Sequence, residues 1–309
     1  TLGSSENSNF SSGSSASWTF RKAPKFFDVV TWTGDGVVGR TVSHNLGAVP
    51  GAIFIKRTDT SRDWMVYHRG LNGGVDKGHY TITLNSANAQ VNSPKFNDTE
   101  PTDSLFSLSD SSTVNASGGT YVAYLFAHND GDGEFGPDGD QDIIKCGSYS
   151  GNGSDDGPEI DLGFEPQWLL IKNTGTTSQW RMMDNMRGLP VGGTDISLEA
   201  NESNSETTDT NTANIDVKPN GFEITTDRGD WNNNGNTIIY MAIRRGPLAP
   251  PEDATEVFDI YQNESTATVP GFKHPFPVDF AFYKASTNTE DWWSGSRLTQ
   301  GRTLRMNTS

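Results

Sequence analysis

The sequence predicts an all-β protein built from tandem β-sandwich or jelly-roll-like modules, two of them complete and a third truncated. Three observations predict this. Ser, Thr, Asn and Asp carry much of the polar content and Gly contributes 33 residues, whereas runs of helix-forming residues are scarce. Short β-branched and aromatic segments recur about every ten residues between turn-rich stretches. A long motif also occurs twice, which indicates internal repetition.

The repeated motif reads HNLGAVPGAIFIKRTDTSRDW at residues 44–64 and IDLGFEPQWLLIKNTGTTSQW at residues 160–180. Each copy contains Leu-Gly, a proline, an apolar run that ends in Lys, a polar turn and a Trp. The repetition therefore predicts that the chain contains at least two modules of the same fold. The landmark pairs that share a spacing of 116 residues are Leu46 and Leu162, Lys56 and Lys172, Trp64 and Trp180, and Tyr124 and Tyr240.

A third copy of the motif lies near the end of the sequence. Its apolar run ends at Lys284 and its tryptophan is Trp292, 112 residues after Trp180. The closing TLRMNTS echoes YTITLNS of the first copy. Because a half-built β-domain leaves strand edges uncovered, we expect the natural chain to continue beyond Ser309.

The spacing of the repeats and the local composition divide the chain into segments. The first segment is rich in Ser and Asn, which is typical of a linker, and its lack of an initiator Met indicates that the natural chain begins earlier. We call the two complete repeats module 1 and module 2, and the last segment the third unit. The expected boundaries are a linker at residues 1–25, module 1 at 26–128, an acidic linker at 129–142, module 2 at 143–245, a Pro-rich linker at 246–256 and the third unit at 257–309.

Charge and cysteine content exclude several classes of protein. The net charge of −16 opposes binding to nucleic acid, and the longest basic run is Arg244-Arg245. Cys146 is the only cysteine, so an intrachain disulfide cannot form, which fits synthesis in the cytoplasm. No apolar stretch approaches the roughly 18 residues of a membrane span. We therefore expect neither nucleic-acid binding nor membrane insertion.

The acidic segment DGDGEFGPDGDQD at residues 130–142 suggests a calcium site. An EF-hand-type loop needs Gly at its sixth position and an acidic residue at its twelfth. Counted from Asp130, those positions hold Phe135 and Gln141. A solvated linker is therefore the preferred interpretation, with a structural Ca²⁺ as the alternative and no other cofactor expected. The candidate ligands are Asp130, Asp132, Glu134, Asp138 and Asp140.

The tryptophan that recurs in each repeat has two interpretations. It could form an aromatic platform for a sugar, or it could pack in the core, and core packing is preferred because burial is the commoner fate of a large aromatic side chain. Trp293 follows Trp292 directly, and strand alternation sends these two side chains to opposite faces. Trp292 and Trp293 are therefore the candidate ligand-binding residues. The Lys that ends each apolar run is interpreted as a strand-end side chain reaching solvent.

Catalysis has little support in the sequence. The histidines of module 1 have no matching histidines in module 2, and HExxH, CxxC and Walker motifs do not occur. The segment GSYSGNG has Tyr149 where a nucleophile elbow needs Ser. We therefore expect a non-enzymatic protein. The many Asp and Glu residues nevertheless leave a glycoside-hydrolase carboxylate pair open.

The segments FFDVVTWTGDG and YVAYLFAHN, together with the motif at residues 44–64, resemble an uncharacterised repeated domain of tailed-bacteriophage virion proteins, notably marine and cyanobacterial ones. The resemblance covers about residues 26–309. It implies a virion location, on the tail or outer surface, and a role in host attachment or virion architecture as a tail fibre or tail-associated structural protein. That family has no established active site, so the resemblance assigns no catalytic residue.

The same resemblance sets the expected partners. They are other virion proteins, a host cell-surface glycan, and further copies of the chain, with a homotrimer expected from the way phage fibres are built. Three alternatives stay open: a carbohydrate-binding array attached to an enzyme outside this sequence, a capsid decoration protein, and a glycan-degrading tailspike.

Overall fold

The computed structural model describes residues 17–189, 195–208, 214–246, 253–256, 258–261, 280–285, 289, 291–296 and 303–305. Within these ranges almost all regular structure is β-strand in antiparallel sheets, so the predicted all-β class is confirmed. None of the helices in this part of the chain is long and apolar enough to cross a membrane.

Module 1 consists of a six-stranded sheet and a two-stranded sheet. Its strands are β1 (Phe27–Thr33), β2 (Arg40–Ser43), β3 (Pro50–Arg57), β4 (Met65–His68), β5 (Tyr80–Thr83), β6 (Val91–Asn92), β7 (Leu105–Leu108) and β8 (Thr120–Ala127). The large sheet has the order β1-β8-β3-β4-β5-β6, and β2 pairs with β7 in the small sheet. Short 3-10 turns at Leu71–Gly74 and Lys77–His79 connect β4 to β5.

The small sheet of module 1 packs over one face of the large sheet. Trp32 on β1 lies between Phe106 of the small sheet and Tyr121 on β8, with ring centroids 5.8 and 5.3 Å away. Its indole N–H donates a hydrogen bond of 3.2 Å to the carbonyl of Val114, so the polar atom of this buried ring is paired. We call this covered side the inner face and the opposite side the outer face of the large sheet.

Module 2 repeats this architecture. Its strands are β9 (Ile144–Ser150), β10 (Glu159–Asp161), β11 (Pro166–Asn173), β12 (Arg181–Asp184), β13 (Ile196–Glu199), β14 (Thr207–Thr208), β15 (Ile215–Lys218), β16 (Gly221–Ile224) and β17 (Thr237–Arg244), with one helical turn, α1 (Gly229–Asn232). The large sheet is ordered β9-β17-β11-β12-β13-β14 and the small sheet β10-β16-β15. Strand for strand, the large sheets of the two modules are equivalent.

The Leu-Gly-Pro portion of the repeated motif has the same structural role in both modules. Gly47 and Gly163 have φ of +70° and +73°, a conformation that glycine adopts without steric cost. The preceding leucines are fully buried. Pro50 and Pro166 begin β3 and β11, and the pairing register with the neighbouring strand shifts just after each proline. The motif therefore encodes a tight turn and a bulged strand start.

The predicted equivalence of Tyr124 and Tyr240 is wrong by one residue. Tyr124 pairs with Phe54, whereas Tyr240 pairs with Ile171. The residue that pairs with Leu170, the counterpart of Phe54, is Met241. One extra residue before β17 therefore shifts the strand, and because side chains alternate, Tyr124 lies on the outer face and Tyr240 on the inner face.

The large sheets of the two modules pack against each other through their outer faces. Along β11, Leu169 and Ile171 belong to the core of module 2, whereas Trp168 and Leu170 belong to a cluster that also contains core residues of module 1 such as Val66. We call this contact between the two large sheets the seam. Each module is thus a sandwich, and the two sandwiches share a further hydrophobic layer.

The described part of the third unit is a three-stranded sheet of β18 (Phe280–Tyr283), β19 (Trp293–Ser296) and β20 (Thr303–Arg305). Tyr283 pairs with Trp293, as Ile171 pairs with Arg181 in module 2. Trp293 in turn pairs with Arg305, as Met65 pairs with Thr83 in module 1. The strands therefore have the register expected from the third copy of the motif.

Candidate functional site

The repeated lysine of module 2 binds main-chain carbonyls at the seam. Lys172 is fully buried, and its Nζ donates to the carbonyl of Ser178 at 2.5 Å and to that of Ala87 in module 1 at 2.9 Å. Burial disfavours the charged ammonium and lowers the pKa of Lys172 to about 8. The expectation that this side chain reaches solvent is therefore wrong for Lys172, because module 1 covers it.

Two further hydrogen bonds join the modules. The indole N–H of Trp180 donates to the carbonyl of Thr83 at 3.0 Å. His68 of module 1 accepts the Gly70 amide at Nδ1 (3.0 Å), so its Nε2 carries the proton and donates to the carbonyl of Tyr240 at 3.1 Å. Burial lowers the pKa of His68 to about 3, which keeps the ring neutral. These bonds fix the lateral position of one sheet on the other.

Two glycines of module 1 allow β9 to approach closely. A Cβ atom added at Gly51 would lie 2.7 Å from Cβ of Cys146, and one added at Gly70 would lie 2.9 Å from Cβ of Ser148. The positions in module 2 that correspond to Gly51 and Gly70 hold Gln167 and Met186. The two modules are therefore not interchangeable at the seam.

The end of the N-terminal segment lies across the outer edge of the seam. The ring of Phe20 meets Phe126 of module 1 and Trp168 of module 2 edge-on, with centroids 5.3 and 6.1 Å away. The indole N–H of Trp18 donates to Asp184 at 3.0 Å, and the Arg187 guanidinium lies 4.9 Å from the centroid of the Trp18 ring. The described part of the expected N-terminal linker thus contributes two aromatic side chains to the module pair.

The repeated tryptophan has a different environment in each repeat. Trp180 is 2% exposed at the seam, which agrees with the core interpretation. Trp64 is half-buried, and its ring stacks on Tyr124 at 6.0 Å while the Nζ of Lys56 lies 5.7 Å from its centroid. We call the half-buried residues Phe54, Trp64 and Tyr124 on the outer face of module 1 the aromatic strip. It is the part of that face that module 2 leaves open.

The two candidate ligand-binding residues of the third unit differ in exposure. Trp292 is 41% exposed and lies 6.0 Å from Phe282. Trp293 is half-buried, with the Arg305 guanidinium 5.0 Å from its ring centroid. Their assignment to ligand binding stays a prediction. The aromatic strip of module 1 is a further candidate, in which Phe54 and Tyr124 lie beside one copy of the recurring tryptophan.

The acidic segment is held by lysines on both sides. Lys25 lies 2.8 Å from Glu134 and donates to the carbonyl of Asp132 at 2.9 Å. Lys145 lies 3.6 Å from Asp130. Asp138 and Asp140 are exposed. Within the described ranges no three His, Cys, Asp or Glu side chains lie close enough together to hold a metal ion, and the Ca²⁺ site stays a prediction.

Three histidines of module 1 bind backbone rather than forming a reactive cluster. His44, like His68, accepts an amide at Nδ1, that of Leu46, at 3.3 Å. His128 accepts the Cys146 amide at 3.2 Å. Burial lowers the pKa of all three rings, that of His128 to about 4. These hydrogen bonds assign the rings a structural role.

A family of domains described as a domain of unknown function, DUF7483, matches residues 3–247. The chain belongs to the DUF7483 family. The matched DUF7483 region contains both modules, the described aromatic side chains of the N-terminal segment and the whole seam, so the fold of this family member is the module pair. Comparison with curated proteins gives no match, and comparison with solved structures gives none either.

Most of the seam could not be singled out from the DUF7483 sequence alone. The repeat highlighted Lys172 and Trp180, but it did not show that they bind module 1. One feature of the sequence does point to the seam. Module 1 has glycine at positions 51 and 70, whereas the matched positions of module 2, 167 and 186, hold larger residues. Such differences mark a surface on which duplicated modules have specialised.

Proposed function

We propose that the chain is a non-enzymatic virion structural protein of a tailed bacteriophage, tail fibre or tail-associated, that serves host attachment or virion architecture. The observation that carries the proposal is the seam. Two modules joined by buried apolar side chains and by hydrogen bonds at Lys172, Trp180 and His68 form one stiff block. A block of this kind suits a protein that holds a binding surface at a fixed distance and orientation.

The surface proposed to meet the host is the aromatic strip. Indole and phenol rings offer apolar faces to the C–H groups of a pyranose, while polar groups next to them can bind hydroxyls. Trp64 provides such a ring, with Lys56 over its face and Asn85 bonded to its main-chain amide at 2.8 Å. The proposed ligand is therefore a host cell-surface glycan, bound weakly at each strip and more strongly when many copies are displayed.

Location on the particle is tested by immunogold electron microscopy of purified virions with antibodies against this chain. The proposal predicts label on the tail. Label on the capsid would favour the decoration-protein alternative. Purified particles that carry no label at all would contradict a virion role.

Glycan binding is tested on a glycan array with the wild-type chain and the variants Trp64→Ala and Trp293→Ala. Val38→Ala is the matched control, because Val38 is 60% exposed and lies outside the strip. We expect Trp64→Ala to abolish binding and the control to keep it. Loss of binding only in Trp293→Ala would move the site to the third unit, and absence of binding by the wild-type chain would remove the glycan proposal.

A carbohydrate-binding array attached to an enzyme is the second candidate, and the same aromatic strip favours it. The two proposals differ in where the protein is found. Glycan binding without virion association would favour the array. A glycan-degrading tailspike is tested separately by incubating the chain with host polysaccharide, where release of reducing ends would support it and intact polymer would exclude it.

A further inference from the structure

The first described strand of the third unit, β18, corresponds to the central strand β11 of module 2. Phe282 pairs with Ser294 in the register in which Leu170 pairs with Met182 of β12. In module 2, β11 lies between two strands, with β12 on one side and β17 on the other. Among the described residues of the third unit, β18 pairs with β19 and no strand lies along its other edge.

The main-chain groups of Phe280 and Phe282 point towards this open edge. Along an antiparallel strand, residues alternate between bonding to one neighbouring strand and bonding to the other. In module 2 the amide of Asn185 donates to the carbonyl of Gln167 at 3.0 Å, so every second residue from Gln167 bonds to β12. The residues between them, including Leu170, bond to β17. Phe282 has the position of Leu170, and its N–H and C=O therefore face away from β19.

Both complete modules fill the equivalent edge with their last strand. Leu170 of β11 lies opposite Met241 of β17, and Phe54 of β3 lies opposite Tyr124 of β8. These last strands are mostly apolar, with the sequences TIIYMAIR and TYVAYLFA. Leu170 is 5% exposed, whereas Phe282 at the open edge is 56% exposed. An unpaired strand edge that carries exposed apolar side chains is a template for pairing with another strand.

We propose that the open edge of β18 binds an extended strand of the β17 type that another polypeptide donates. The main chain of the donated strand exchanges hydrogen bonds with Phe280 and Phe282, as β17 does with Trp168 and Leu170. Every second side chain of that strand packs beside the two phenyl rings. In their own sheets β8 and β17 already have a strand on each side, so neither is available as the donor. The inference concerns assembly and is independent of the proposed virion role.

Binding is measured by fluorescence anisotropy with the full chain and a labelled peptide of residues 236–246, NTIIYMAIRRG, which contains β17. The peptide carries two arginines and the chain has a net charge of −16, so the measurement is made at about 0.15 M NaCl to screen their attraction. We expect saturable binding.

Two N-methylated peptides distinguish strand pairing from other attraction. In module 2 the amide of Met241 faces β11, whereas the amide of Ala242 faces β9 on the opposite side. N-methylation at Met241 therefore removes a donor to β18 and should raise the dissociation constant at least about tenfold. N-methylation at Ala242 leaves that ladder intact and should change the dissociation constant less than about twofold.

Proline variants of the chain locate the site. Phe282→Pro removes an amide that faces the open edge, a position at which an edge strand tolerates proline, and should weaken binding at least about tenfold. Thr31→Pro is the matched control, because Thr31 is exposed on the edge strand β1 of module 1 and its amide faces away from β8. This variant should keep the wild-type affinity.

Three results would overturn the proposal: a wild-type chain that does not bind the peptide, equal binding of the two N-methylated peptides, or a folded Phe282→Pro variant that keeps its affinity. The peptide comparison uses the wild-type chain, so it decides the matter even if a proline variant does not fold. Sedimentation velocity without peptide tests a different occupant. A dimer that Phe282→Pro dissociates would show that the edge pairs with a second copy of the chain instead of a donated strand.

Discussion

The outer faces of the two large sheets carry the same kinds of residue at matched positions, yet these positions are fully covered only in module 2. Leu170, Lys172 and Trp180 are buried at the seam, whereas Phe54, Lys56 and Trp64 are half-exposed. The seam is therefore an asymmetric contact between duplicated surfaces. The two modules thus present similar faces, of which one is buried in the seam and the other stays partly open to solvent.

The largest expected difference between the two faces is at the repeated tryptophan. Trp180→Ala should lower the free energy of unfolding by about 3–5 kcal/mol, because it removes a buried ring from the seam and leaves a cavity. Trp64→Ala should cost less, about 1–2 kcal/mol, because that ring is only partly removed from water. Urea unfolding followed by circular dichroism measures both. Equal losses in the two variants would mean that the two rings are buried to the same extent.

Acid should weaken the seam through His68. The neutral ring is required in the folded chain, where its pKa is about 3, against 6.5 when exposed. The unfolded chain binds more protons between these values, so stability from this group is complete above pH 6.5 and is lost as the pH falls towards 3. The total loss is at most about 5 kcal/mol.

The test for His68 is the pH dependence of the free energy of unfolding in the wild type and in His68→Gln. The variant cannot titrate at this position, so it should show a shallower fall of stability between pH 6.5 and 3. Val38→Ala, at an exposed residue outside the seam, is the control and should keep the wild-type slope. A His68→Gln slope equal to that of the wild type would mean that the ring is not buried as described.

The repeated lysines of the two modules should differ in the same direction, with a smaller effect on stability. Lys172→Met leaves the carbonyl of Ser178 without its donor and removes one of the donors to Ala87, so a loss of about 2 kcal/mol in the free energy of unfolding is expected. Lys56→Met, at the matched half-exposed position, should change stability by less than about 0.5 kcal/mol. Because Lys56 donates to the matching carbonyl of Arg62, equal losses in the two variants would mean that burial at the seam does not strengthen the carbonyl contacts of Lys172.

The glycine contacts of module 1 should tolerate little enlargement. Gly51→Ala places a methyl group within 2.7 Å of Cys146, and the overpacking should cost about 1–2 kcal/mol. The matched change Gln167→Ala in module 2 should cost less than about 0.5 kcal/mol. Thermal unfolding of both variants measures the difference, and a harmless Gly51→Ala would show that the sheets are farther apart than described.

The smallest expected effect concerns the acidic segment. Lys25 and Lys145 already lie beside Glu134 and Asp130, so removing Ca²⁺ with a chelator should leave the melting temperature unchanged to within about 1 °C. Addition of millimolar Ca²⁺ is the reverse test. A rise of several degrees that Asp132→Asn abolishes would instead establish the alternative, a structural calcium site.

The repeat in the sequence was sufficient to predict short strands and most of the matching positions in the modules. The positions of Trp64, Trp180 and Trp292 all follow from it, because the motif fixes the turn and the hairpin locally. The one-residue shift between Tyr124 and Tyr240 could not be predicted. An extra residue in the preceding loop does not change the apolar character of the strand. Only the pairing partners, Phe54 and Ile171, show that the two tyrosines lie on opposite faces.

The seam could not be predicted because it depends on contacts between residues far apart in the chain. Nothing near Lys172 in the sequence indicates that Ala87 supplies its carbonyl, and the Ser-rich composition before residue 20 obscured Trp18 and Phe20 as packing residues. The contribution of Phe54 and Tyr124 to the aromatic strip was missed for the same reason. The exposure of these rings depends on how much of the outer face of module 1 is covered by module 2.

Hydrogen–deuterium exchange of the full chain, wild type against Trp180→Ala, tests most directly the claim that the two modules form one block through the seam. If the claim holds, the substitution in module 2 lowers amide protection in β4 and β5 of module 1 as well as in β11 and β12. If amide protection changes only within module 2, the modules fold independently and the seam is not the contact described.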